Sequence, residues 1–475
     1  MTPPHNVESG IANKNGQFLD QDLLDAARGL DSKPAIDVVA ATAPHERNES
    51  QEQPSFYRGA RWTADGTTIV ASTSDNRVSA FVLPENLLEP NDEAHQLGSQ
   101  STLHLSEPSY ALAPAPFFSL SESASQTVLT SCKDHPIQLH HLFPDEGTQS
   151  RLASYKLIRR ETEEYISAET LLWSWPGTHF LVGSTNRLDY FDVSRTGSDG
   201  PILTIPTIPS KRHISKGGGV GMKGMISALS SQSPAISEAP IIAAGTWTRW
   251  LGLYDVSRSN KAIANWSVRG VVNDEFGCKD DGRGIVQTIW SPCGRYLTIN
   301  ERQASSILVY DVRGSRQPVS VLIGRDGATQ QRLSCDVFAA STSHGGFEVW
   351  AGSKDGHVYV WEDVGSQQGV LDTSWRFQAH NSPVGSTILH PSGSVVATCS
   401  GAWAPISDEE LDEGLGSRDE RQLPTISSTR STSDCSIKIW AIGMKATGGG
   451  DDGCHQIDTP RQNHQQHHAE QHEQV

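Results

Sequence analysis

The sequence predicts an all-β fold, a seven-bladed β-propeller. Three observations carry that expectation: a unit repeated along the chain, the turn chemistry inside each unit, and a strand ending in an aromatic residue followed by an acid. The clearest unit is IVQTIWSPCGRYLTINERQASSILVYDV, residues 285–312. It reads as an apolar strand, a Pro/Gly turn, a short second strand, a polar turn and an alternating third strand. VFAASTSHGGFEVWAGSKDGHVYVWEDV (337–364) repeats it, and STILHPSGSVVATCS (386–400) resumes as SDCSIKIWAI (433–442) after an insertion. Weaker copies begin at Tyr57, Phe117, Thr170 and Met225, making seven units.

The turns explain why each unit folds back on itself. Pro292-Cys293-Gly294 and Pro391-Ser392-Gly393 supply the fixed and the positive φ of tight turns. Asp75, Asp134, Asp355 and Asp434 fall in the next turn, where a short carboxylate can accept backbone N–H groups. Alternation such as HVYVW, residues 357–361, gives a strand with two unlike faces. One such blade cannot bury both faces, whereas a closed ring of blades can, without leaving a long free edge. This is the WD-repeat pattern with departures. Glu362 and Ala441 replace the Asp of the Trp-Asp ending, Asn186 and Thr248 stand where the turn Asp belongs, and Ala379-His380 stands for Gly-His.

Ring closure needs one more strand. The apolar, β-branched stretch before the first unit is Ala35 to Thr42, which is expected to become the outer strand of the blade ending at Ile442. The expected organisation is therefore an acidic disordered arm (1–34), the propeller (35–442) with an acidic loop inserted at about 404–431, and a disordered Gly/Gln/His-rich tail (443–475).

Composition narrows the function. The formal net charge is −17, which argues against sequence-blind binding of nucleic acid in bulk but leaves room for a local basic site. The seven cysteines are odd in number and never form a CxxC pair, so neither a disulfide framework nor a zinc site is expected. No apolar leader opens the chain, and a nuclear or cytosolic protein is expected. Gly219-Val-Gly221-Met-Lys-Gly224 matches GxGxxG but opens onto a strand rather than a helix, so it is no dinucleotide loop. The tail histidines (His464, His467, His468, His472) and the acidic run Asp408 to Glu413 read as solvated polar segments. No catalytic residue, metal ligand or cofactor is expected, and the ring is expected to be monomeric.

Two inter-blade stretches stand out. Residues 211–223, KRHISKGGGVGMK, hold Lys211, Arg212, Lys216 and Lys223 without an acid. Residues 324–332, GRDGATQQR, hold Arg325, Gln331 and Arg332. Forked Arg donors and Gln amides suit phosphates and base edges. Trp247 and Trp250, with Arg249 between them, fall in a turn that the blade order puts on the same rim. The plain alternatives are solvated loops and, for at least one tryptophan, a place in the core.

The same segments carry a resemblance. GTWTRWLGLYD (245–255), GRDGATQQR (324–332), CKDHPIQLHHLF (132–143) and the acidic interruption after Ser400-Gly401 resemble the telomerase Cajal body protein family of WD-repeat proteins, with its fungal splicing-linked relatives. The resemblance implies a non-enzymatic adaptor that binds small nuclear RNAs or their RNP particles. It would support nuclear-body localisation, RNP biogenesis or pre-mRNA splicing, with telomerase RNA among the candidate partners. A protein-only scaffold, such as a ubiquitin-ligase or chromatin-complex subunit, would use the same rims without RNA.

Overall fold

Strands form where the repeat places them, and their burial explains the faint alternation. The computed structural model describes residues 34–43, 55–159, 161–197, 199–208, 221–237, 239–314, 317–339, 346–402 and 434–443. Second strands such as Tyr296–Glu301 and Val395–Ser400 are buried along their whole length, because a neighbouring blade covers each face. Outer strands such as Arg151–Tyr155 begin exposed and end buried.

Seven sheets, each built on an antiparallel four-stranded blade, follow one another around the ring. Their innermost strands are Tyr57–Trp62, Ser109–Pro114, Thr170–Trp173, Ile226–Ser231, Ile285–Trp290, Cys335–Ala339 and Val384–Leu389, which head blades one to seven. The seven-bladed expectation holds. In blade two the expected start at Phe117 is wrong: the inner strand is SYALAP, and Phe117 lies in the turn after it. That strand is small-residue-rich and carries no long apolar run, which hid it. Between the second and third strands of blades one to four, Asn76, Asp134, Asn186 and Arg249 all take positive φ, between 54° and 67°. Asn and Asp tolerate that conformation well, whereas Arg249 needs outside support.

Closure comes from Ile36–Thr42, which runs antiparallel to Ile437–Ile442 with Ile36 opposite Ile442. The Thr42 hydroxyl accepts the Ile437 N–H at 3.0 Å. Two short strands also cross to a neighbouring blade: His95–Leu97 pairs in parallel with the closing strand, and Gly369–Leu371 with Pro318–Leu322 of blade five. The tails and the acidic insertion lie outside the described residues, apart from Pro34, Gly443 and short flanks.

Blade seven contains a buried polar chain. His380 Nδ1 lies 3.1 Å from Asp434 Oδ2, His380 Nε2 lies 2.7 Å from Thr398 Oγ1, and Trp440 Nε1 donates to the same hydroxyl at 2.9 Å. A carboxylate only accepts, so Nδ1 carries the proton and Nε2 accepts from Thr398. Burial lowers the His380 pKa against the pull of Asp434, in keeping with a neutral ring.

Candidate nucleic-acid interface

The inner strands enclose a cavity of about 420 Å3 at the end of the axial channel where the chain enters them. Loops before the inner strands and turns after the second strands share this mouth. Of the residues expected on the rim, it gathers Trp247, Gln331 and Arg332. Trp247 is 38% exposed, and the Arg302 guanidinium lies over its ring, 4.4 Å from the centroid. Trp250 packs partly into the core, which the sequence left open. Lys223 is exposed, and its carbonyl accepts a hydrogen bond from the Thr248 hydroxyl, next to Trp247. Lys211, Arg212 and Lys216 lie outside the described residues.

Arg332 reaches across the channel wall. Its Nη2 donates to the carbonyls of Ser227 at 2.9 Å and Val286 at 2.7 Å, in blades four and five. Gln331 Nε2 donates to the Gly401 carbonyl at 2.7 Å, beside blade seven. The two neighbours thus tie the approach to blade six to three other blades. Arg332 stays open to channel water yet is surrounded by protein. Burial, then the like charge of Arg61, pushes its pKa down to about 10.

Arg249 and Arg325, expected as rim contacts for RNA, are instead interior side chains. Arg325 is 3% exposed, and its Nη2 donates to Asn300 Oδ1 at 2.6 Å and to the Ala304 carbonyl at 3.1 Å. The loop is drawn inward because Gly327 lies against Ala304, where a Cβ would overlap the carbonyl oxygen. Asn300 in turn donates to the Leu333 carbonyl at 2.7 Å, so Arg325 braces the chain beside Arg332. Arg249 is ion-paired with Asp280 and Glu301, at 2.6 Å each, which holds its left-handed backbone and the turn bearing Trp247. Burial raises the Glu301 pKa to about 7, against the opposing pull of Arg249.

Sequence reasoning missed the deeper lining. Arg58 and Arg61 of blade one, Arg302 of blade five and Glu169 before blade three all line the cavity. Simple alternation puts positions 58 and 61 on opposite faces. A register slip between Tyr57 and Gly59 resets it, so both arginines line the channel. The signal was present in YRGARW, two arginines in a first strand, but the slip does not show in a lone sequence.

A closed ring of seven blades, with an Asp–His–Thr–Trp chain in the last, defines a WD-repeat β-propeller with a basic channel mouth. No family profile matches the chain. It is similar to Telomerase Cajal body protein 1 of Homo sapiens, 27% identical over 402 residues, covering 83% of this chain and 66% of that protein. It is also similar to Protein SWT21 of Zygosaccharomyces rouxii, 27% identical over 330 residues, 69% and 71% of the two chains. A third relative is Guanine nucleotide-binding protein negative regulator 1 of Schizosaccharomyces pombe, 25% identical over 312 residues, 65% and 71% of the two chains. The resemblance to the telomerase Cajal body proteins and their fungal relatives therefore stands, and the chain spans 66% of the length of the human one.

Proposed function

We propose that the chain is a non-catalytic nuclear adaptor that binds small nuclear RNA, or the RNP particles containing it, at this channel mouth. The carrying observation is the convergence of an exposed Trp247, a stacked Arg302, Gln331 and Arg332 on one opening of a chain whose net charge is −17. Aromatic faces take bases of any sequence while arginines neutralise phosphates, so single-stranded RNA suits the opening better than a duplex. Lys223 is a further exposed cation near the turn bearing Trp247, and Lys211, Arg212 and Lys216, which precede it in the sequence and lie outside the described residues, are candidate contacts to be tested with it. Arg249 and Arg325 serve it indirectly by holding the turn and loop. RNP biogenesis or pre-mRNA splicing is the process this supports, with RNP proteins as further partners. The similarity to Telomerase Cajal body protein 1 adds telomerase RNA and Cajal-body-like foci to what should be tested first.

Ultraviolet crosslinking followed by stringent purification should recover small RNAs with the wild-type protein. Trp247→Ala should weaken binding by about 1–3 kcal/mol if one base stacks there, with the melting temperature nearly unchanged. Recovery of proteins without RNA would overturn the reading in favour of a protein-only scaffold.

A further inference from the structure

The axial lining carries a charge imbalance that stacking of bases at the rim does not use. Arg58, Arg61, Arg302 and Arg332 face a single carboxylate, Glu169, among the residues lining the cavity. Arg302 is committed to the Trp247 ring, and Arg332 to two carbonyls. Arg58 Nη1 donates to the Ser109 carbonyl of blade two at 3.2 Å. None of Arg58, Arg61 and Arg332 is within ion-pair distance of a carboxylate among the described residues. Arg61 and Arg58 both act on Arg332 as like charges. Like charges held together in a partly desolvated site raise the free energy of the empty ring, and an anion between them lowers it.

Other groups facing the cluster are accounted for. Asp336 lies near Arg61, but its oxygens accept the N–H groups of Leu389 at 2.8 Å and Val337 at 2.9 Å. Glu169 acts on Arg332 and Arg58 from the cavity wall. The rest of the polar lining, which includes Ser109, Tyr110, Gln330, Gln331, Ser334 and Ser386, is neutral and can donate hydrogen bonds.

We propose that the propeller axis is an anion site that seats one phosphoryl group, gripped by Arg58, Arg61 and Arg332, with Glu169 setting its affinity. Guanidinium forks pair with phosphoryl oxygens two at a time, and arginines from separate elements can surround one group as a lone helix end cannot. The group can belong to a bound RNA or to a free phosphorylated small molecule. Where it belongs to RNA, this proposal rests on the reading above. Seating it would join blade one to the chain leading into blade six, so the ligand is expected to stiffen the ring as well as occupy it.

The test uses the full chain and inorganic phosphate as probe, by calorimetry and by thermal shift. Phosphate should bind and raise the melting temperature. Arg61→Gln should weaken it about tenfold or more, and because the Arg61 side chain makes no hydrogen bond among the described residues while its backbone pairing with Val70 is kept, the fold should be unaffected. Glu169→Gln should tighten binding several-fold, a gain that damage to the fold would not produce. A short single-stranded oligouridine then separates the sources. Competition by phosphate assigns the site to RNA, and oligouridine binding undisturbed by phosphate assigns it to a free phosphorylated molecule. Phosphate binding without any oligouridine binding would remove the RNA reading and leave the anion site standing. Absence of phosphate binding, or equal affinity in wild type and both variants, would overturn the site.

Discussion

Arg325 and Arg332 leave the same loop for different environments, and their substitutions should separate stability from binding. Arg325→Ala strands Asn300 Oδ1 and the Ala304 carbonyl in a buried place, at a cost of about 1–3 kcal/mol. Chemical denaturation should show that loss, and an unchanged midpoint would mean the loop does not depend on the side chain. The His380 chain governs acid stability by the same logic. Although burial alone would raise it, hydrogen bonds from His380 and Ser436 hold the Asp434 pKa below the usual carboxylate range. Its contribution is thus present above pH 3.8, the ordinary value, and lost as pH falls through the folded pKa. Burial holds the His380 pKa below 6.5, so its contribution is present above pH 6.5 and declines on acidification. Stability should therefore begin to fall below pH 6.5 and fall further below pH 3.8. His380→Gln should cost about 1–3 kcal/mol at neutral pH and flatten the upper part of that decline. A denaturation series that shows the same slope in both proteins would place the acid sensitivity elsewhere.

Among the elements, the closing strand matters most, because its loss opens the ring. Removing residues 1–33 leaves Ile36–Thr42 in place and should leave the melting temperature nearly unchanged. Removing residues 1–43 takes away the partner of Ile437–Ile442 and uncovers an unpaired edge beside Trp440. The expected result is a loss of at least ~2 kcal/mol, or several degrees in melting temperature for a domain of this size, with association through the bared edge. Equal melting curves for the two truncations would show that the strand only decorates the ring. This strand was readable from its β-branched residues alone. His95–Leu97 and Gly369–Leu371 were not, because strands this short carry no periodicity and pair with the neighbouring blade rather than their own.

At the scale of the whole molecule, the ring was legible because seven units each carry their own turn chemistry, whereas the channel was not. Its lining joins Arg58, Glu169, Trp247 and the adjacent pair Gln331 and Arg332, from four separate parts of the chain, and only closure brings them together. Rim residues were found by charge and aromaticity, but the same criteria took Arg249 and Arg325 for surface groups, since a sequence does not show which arginines meet internal carboxylates and carbonyls. Closure by strands from opposite ends of the propeller also has a consequence for synthesis. On the ribosome the N-terminal side of the chain emerges first, yet the antiparallel partner of Ile36–Thr42 is made only after six blades have been translated. Until Ile437–Ile442 leaves the exit tunnel, the early strand can pair with His95–Leu97 along one edge while the other stays unpaired, and the longest-range contact of the fold has yet to form. A ribosome stalled before residue 437 should hold an open horseshoe that chaperones recognise, and release of the last strand should be the event that makes the channel a site at all.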